Sequence, residues 1–155
     1  MAQSTHAGSS EDARLAYDLT DAGTTWVDMS GYSITATFDS WDRATGQVNT
    51  LDGDEAIAGF GKLSLTGMTV TAVYSDGDTT DAVEALAGAF VGTGGTQCML
   101  QYCPQGTGAA KLCVETNTDA KMDSFTFPDF DAGDGTSLSF SFHVKTSGFD
   151  YAAHG

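Results

Sequence analysis

The stretch 136–146, TSLSFSFHVKT, decides how the chain is read. Leu138, Phe140, Phe142 and Val144 fall on one side of an extended backbone, and Ser139, Ser141, His143 and Lys145 on the other, because strand side chains alternate faces. A helix would scatter the same apolar residues around its circumference, so the period specifies a half-buried β-strand. A strand cannot satisfy its own backbone groups. The remaining sequence must therefore supply its sheet and explain what its polar face looks at.

Residues 62–74, KLSLTGMTVTAVY, form a second strong strand region. Leu63 and Leu65 keep one phase while Met68, Val70, Ala72 and Tyr74 keep the other, so the switch at Gly67 predicts a bulge or bend. Residues 96–103 and 110–115 alternate on either side of a turn at Pro104 to Gly108, which predicts a hairpin. Shorter alternating pieces lie at Leu15 to Leu19, at Tyr32 to Phe38, and at Phe125 and Phe127 before Pro128. Residues 80–90, TDAVEALAGAF, repeat Val83, Leu86, Ala87 and Phe90 at helical spacing and end before a glycine-rich link. The predicted fold is mainly β: a two-sheet β-sandwich or incomplete barrel with one flanking α-helix at about residues 80–90.

The pattern stops between residues 39 and 61, which predicts a long excursion loop. Trp41, Val48, Leu51, Ile57 and Phe60 are too apolar for a solvated linker and require a surface to lie on, in this subunit or the next. The expected organisation is an arm over 1–12, flexible or intersubunit, a single β domain over 13–147, and a C-terminal tail over 148–155.

Composition narrows the function. The 155 residues carry 21 Asp and Glu against 6 Lys and Arg, a net charge of −15, which repels nucleic acid and anionic membranes and excludes a sequence reader or a polybasic membrane binder. No apolar run approaches the ~20 residues that cross a bilayer, and the N-terminal MAQSTHAGSS shows no signal peptide. Three cysteines make no dense framework, so a reducing compartment and three buried or half-buried thiols are expected. Cys103 and Cys113 approach each other if the hairpin pairs suitably.

Candidate chemistry is sparse. His6, His143 and His154 are scattered, and His143 reads as a structural residue of a polar face beside Lys145. Cys98, Cys103 and Cys113 lack the spacing and the fourth ligand of a closed zinc site. Asp129, Asp131 and Asp134 before Gly135, and Asp52, Asp54 and Glu55 around Gly53, offer oxygen ligands beside a glycine turn, the chemistry calcium needs, without EF-hand spacing. No nucleophile, base and orienter assemble, so neither an enzyme nor a cofactor is expected.

The layout resembles the major tail tube proteins of long-tailed bacterial viruses and related tube-forming proteins. The likeness runs from about Tyr17 to Lys145. It rests on Asp28-Met29-Ser30-Gly31 followed by a strand to Phe38, the excursion from Asp39 to Phe60, and the strand from Gly61 to Thr71 containing Gly67-Met68-Thr69-Val70-Thr71. The helix at Asp81 to Leu86, the hairpin through Tyr102 to Gly106 and the closing strand Leu138 to Val144 complete it. The resemblance implies a structural subunit of a virion tail, made in the host cytoplasm, whose hexameric rings stack around a lumen that passes genomic DNA as non-specific cargo. Tape measure and tail terminator proteins are the implied further partners, and no membrane is involved. In that setting Trp41, Val48, Leu51, Ile57, Phe60 and Lys145 are the expected assembly residues, Lys145 through a cross-strand or intersubunit ion pair. A repulsive acidic wall would let phosphates slide. The rival reading is a monomeric calcium- or carbohydrate-binding β-sandwich using the loops 51–55 and 129–135.

Overall fold

The architecture was taken from a computed structural model that describes residues 13–20, 22–49, 51, 57–64, 66–74, 80–92, 97–128 and 138–154. The segment SFSFHVKT is strand β10 (Ser139–Thr146), with Phe140, Phe142, Val144 and Thr146 buried and the intervening residues on the open face. It lies in the middle of a four-stranded sheet ordered β3 (Ser33–Phe38), β6 (Thr66–Val73), β10 and β9 (Lys121–Thr126). A second, five-stranded sheet is ordered β11 (Phe149–His154), β8 (Lys111–Thr116), β7 (Met99–Cys103), β1 (Arg14–Asp18) and β2 (Val27–Asp28). All the pairings are antiparallel.

One apolar cluster joins the two sheets. Met68, Val70, Met122, Phe140, Phe142 and Val144 from the four-stranded sheet meet Leu15, Tyr17, Met99 and Leu100 from the five-stranded one. Helix α1 (Thr80–Val91) adds Ala82, Val83 and Leu86 to the cluster, so the helical period of the sequence marks the face that closes the sandwich. The fold is the expected two-sheet sandwich with one flanking helix, and the sheets do not close into a barrel.

Four local expectations are corrected. The excursion 39–61 is not a loop throughout: β4 (Arg43–Val48) and β5 (Ile57–Leu63) form a separate two-stranded hairpin. Every residue of β4 is exposed, so neither face is buried and no period-two pattern arises for a sequence reader to see. The phase switch near Gly67 is a change of sheet: Leu63 ends β5, Thr66 begins β6, and Gly67 sits inside β6.

The C-terminal tail is strand β11, which covers β8 in register from Phe149 opposite Thr116 to His154 opposite Lys111. Its alternating Phe149, Tyr151 and Ala153 were the available sign. Finally, the three expected thiols are one thiol and a disulfide. The β7–β8 register places Gln101 opposite Glu115 and Tyr102 opposite Val114, and Cys103 and Cys113, next in line, are bonded with Cα atoms 4.2 Å apart. Cys98 remains free and buried, and burial followed by the nearby Asp18 charge pushes its pKa up to about 12.

The turn between β1 and β2 shows how local chemistry sets the sandwich edge. Asp18 is buried, and its carboxylate accepts from the Thr20 amide at 2.7 Å, the Thr20 hydroxyl at 2.6 Å and the Thr24 and Thr25 amides at 3.0 Å each. Burial raises the pKa of Asp18, but these hydrogen bonds outweigh it and hold the group below its ordinary value. Gly23 completes the turn at φ +61°, a left-handed conformation that glycine adopts without strain.

Candidate functional site

The polar face of the four-stranded sheet is assembled from rows that cross all four strands. Register aligns Thr35, Thr71, Ser141 and Thr126 in one row, and Thr37, Thr69, His143 and Ser124 in the next. The rows between them point inward, as in Phe38, Met68, Val144 and Met122. The outer face is thus mainly a field of short hydroxyl side chains, each able to donate to and accept from water. Nothing in any single strand shows this; it appears when four serine- and threonine-bearing strands are put in register.

A charged cluster interrupts the hydroxyl field. His143 Nδ1 lies 2.5 Å from Asp123 Oδ1, and its Nε2 lies 2.7 Å from Asp39 Oδ2, 104 residues away in sequence. Asp39 follows β3 and Asp123 lies on β9, so one imidazole ties the two edges of the sheet. Donating from both ring nitrogens requires the imidazolium form. Burial works against that charge, but the hydrogen bonds and charges of Asp123 and Asp39 prevail and raise the pKa of His143 above 6.5.

Two features make room for the clasp. A register shift between His143 and Val144 leaves Asp123 as the extra residue of β9, so that Asp123 and Ser124 are both exposed. Gly67 leaves space for the ring, since a Cβ there would fall 2.7 Å from His143 Nε2 and 2.2 Å from the Val144 carbonyl oxygen. With both nitrogens occupied by carboxylates, the imidazole is a tie between strands, in line with its structural reading from sequence.

The expected assembly residues divide into two groups. Trp41 stacks on Phe149 of β11 with ring centroids 5.3 Å apart and planes 10° apart, and Phe38 meets Phe149 edge-on at 5.3 Å. This anchors the root of the β4–β5 hairpin. Beyond the root, Val48 is 64% and Phe60 76% exposed, and Leu51 is fully exposed. Ile57 is the register partner of Val48. Lys145 is exposed, and its cross-strand neighbour on β9 is Lys121, so no cross-strand ion pair forms among the described residues. The calcium candidates Asp52, Asp54, Glu55, Asp129, Asp131 and Asp134 lie outside the described residues, as does the arm 1–12. Among the described residues no group of three or more His, Cys, Asp or Glu could hold a metal ion.

Both outer strands of this sheet, β3 and β9, are edges among the described residues, apart from a backbone bridge between Lys121 and Gln97. An edge strand presents unpaired backbone groups and is a template for joining another chain. Among the described residues the surface thus carries an exposed apolar hairpin, two largely unpaired sheet edges and a hydroxyl face. No protein-family profile matches the sequence, and no curated protein does. Solved structures do match in shape. The chain superposes on a chain of the anti-feeding prophage tube-terminating cap with a TM-score of 0.70 at 11% identity, covering 99% of this chain and 95% of that one. It matches a chain of the tail of the empty GTA particle, solved with C6 symmetry, at 0.61 and 15% identity, covering 95% and 100%. For the SPP1 tail tube the score is 0.55 at 13% identity, covering 92% and 77%.

The fold is that of tail tube proteins. Sequence identities this low carry the fold and leave the site to be argued from the chain's own residues. The likeness extends over the C-terminal strand β11 as well, since nearly the whole chain is covered in the cap comparison.

Proposed function

We propose that this chain is a structural subunit of a viral or virus-like tail tube, in which rings of copies join their four-stranded sheets edge to edge around a lumen and stack into a hollow cylinder. The observation that carries this is the four-stranded sheet: a buried apolar face, a hydroxyl-rich open face, and edges at β3 and β9 that, among the described residues, no further strand pairs beyond the Lys121–Gln97 bridge, in a fold shared with tube components. Joining β9 of one copy to β3 of the next satisfies both edges and closes a larger barrel. Six copies per ring is the number that fits the C6 neighbour.

The hydroxyl face is the natural lining of such a lumen. It carries Thr and Ser rows with the Asp39–His143–Asp123 clasp, and its described charges are mixed. Among the described residues this face offers a hydrated, weakly charged wall to such a lumen. DNA in this reading is cargo that meets hydroxyls and water. The β4–β5 hairpin, with Val48, Leu51, Ile57 and Phe60, reaches to the adjacent ring or subunit, because a lone two-stranded hairpin is marginal in water without a surface to cover. Terminating caps, tape measure proteins and baseplate proteins are the further partners this role demands, and the virion tail is its location.

Negative-stain microscopy and sedimentation of the pure protein, with and without residues 44–59, test this reading. Rings or tubes from the full chain, and a well-folded monomer from the deletion, are expected. A strict monomer over a wide concentration range that binds calcium or a glycan would overturn it.

A further inference from the structure

Six Lys and Arg serve a chain of net charge −15, yet two of the six stand directly opposite each other. Lys145 on β10 faces Lys121 on β9 in register, and both are exposed. Like charges opposed across strands are destabilising, and a chain rich in carboxylates could neutralise them locally. It does not. Asp119 is engaged by the Thr146 hydroxyl at 3.0 Å and the Ser147 amide at 3.2 Å, and Asp123 by His143. No ion pair to either lysine occurs among the described residues. Both lysines line a shallow groove of about 470 Å³, together with Asp119, Asp123 and Phe90.

The row that holds these lysines has an anion at its far end. Asp39 donates its amide to the Gly67 carbonyl oxygen at 3.0 Å, Gly67 pairs with Lys145, and Lys145 with Lys121. One edge of the sheet therefore presents Asp39, with exposed Asp42 just beyond it, and the other presents Lys121, with Lys145 one strand in and Asp123 of the same edge strand held by His143. Strand directions alternate across β3, β6, β10 and β9. A rotated copy joined β9 to β3 continues the antiparallel order, which brings the start of β9, where Gln97 bridges the Lys121 backbone, towards the end of the neighbour's β3, at Asp39, within reach of the long Lys121 side chain. The two edges of one sheet are thus complementary in charge, the arrangement a head-to-tail ring contact needs.

We propose that Lys121 and Lys145 receive the Asp39 and Asp42 carboxylates of the next copy of the chain across this β9–β3 seam. The inference rests on the tube reading and specifies its register. Asp39 keeps its Oδ2 on His143 while its other oxygen turns to the neighbour, and Asp42, whose side chain is exposed, supplies the second acceptor. The pairing also selects against inverted or slipped joining, where lysines would face lysines.

A charge-swap mixture tests it. Lys121→Glu/Lys145→Glu and Asp39→Lys/Asp42→Lys are each expected to stay monomeric, because every seam then opposes like charges. Mixed in equal amounts they are expected to form rings or tubes containing both proteins in alternation, since each seam is again complementary. Thermal melts of the separate variants check folding, and Asp42→Lys with Lys121→Glu, which leaves the His143 clasp intact, serves if Asp39→Lys unfolds. Assembly of either double variant alone at the wild-type level, or folded variants that fail to assemble when mixed, overturns the pairing. Normal assembly of the Lys→Glu variant with lost retention of an oligonucleotide would assign the lysines to the DNA backbone instead and overturn it too. If the wild type itself never assembles, the tube reading fails and this seam with it.

Discussion

Replacing His143 by Gln removes the cation that Asp39 and Asp123 share while keeping a polar side chain over Gly67. The side chain of His143 is 21% exposed, and those of Asp39 and Asp123 are 43% and 45% exposed, so both ion pairs are partly screened by solvent. Exposed pairs contribute about 0.2–1 kcal/mol each, and short charge-assisted hydrogen bonds lie at the upper end, which makes the clasp worth about 1–2 kcal/mol. For a domain of this size that is a fall in Tm of about 3–6 °C.

The pH dependence follows from the direction of the shift. The folded-state pKa of His143 lies above its ordinary 6.5, so the stabilisation is fully present below the unfolded-state pKa and is lost as pH rises through the raised value. Circular dichroism melts of wild type and His143→Gln at low salt should therefore differ below the ordinary histidine pKa and converge as pH rises through the raised folded-state value, with the gap narrowing at high salt. A gap that stays constant across that range would show that the imidazole acts through packing, and the clasp argument would be wrong.

Gly67→Ala should destabilise by about 2–3 kcal/mol, because the new methyl meets the Val144 carbonyl oxygen and the His143 ring at once; an unchanged denaturant midpoint would refute the crowding. Thiol titration of the unfolded, unreduced protein should find Cys98 alone, and all 3 cysteines after reduction, while Cys103→Ser/Cys113→Ser should cost about 2–3 kcal/mol through the short loop it opens. Three titratable thiols before reduction would contradict the bond. Asp18→Asn should cost about 1.5–3 kcal/mol at neutral pH, since four donors lose a charged acceptor. The pKa of Asp18 is depressed from 3.8, so that stabilisation is present above the ordinary value and disappears as pH falls through the lower folded one. Equal sensitivity of the two proteins to acid unfolding would remove this role.

What the sequence by itself determined is everything that depends on one strand or one helix meeting an apolar interior. β10, β6, α1 and the β7–β8 hairpin were legible because burial of one face writes a period of two or 3.6 into consecutive residues. The same reasoning left β4, β5 and β11 unread. β4 is exposed on both faces, and β11 is a final edge whose alternation is only three residues long, so neither carries a strong burial signature.

Register is what only the tertiary structure decided. Asp39, Asp123 and His143 are separated by up to 104 residues, and their meeting depends on which strands are neighbours, on one extra residue in β9 and on the bare Cα of Gly67. Lys145 shows the same limit. Its exposure followed from its parity in the strand, but its neighbour, Lys121 in place of a carboxylate, follows from the pairing of β9 with β10. Side-chain chemistry and period are local properties of the chain, whereas a row of residues across a sheet exists only after long-range pairing has set every strand against the next.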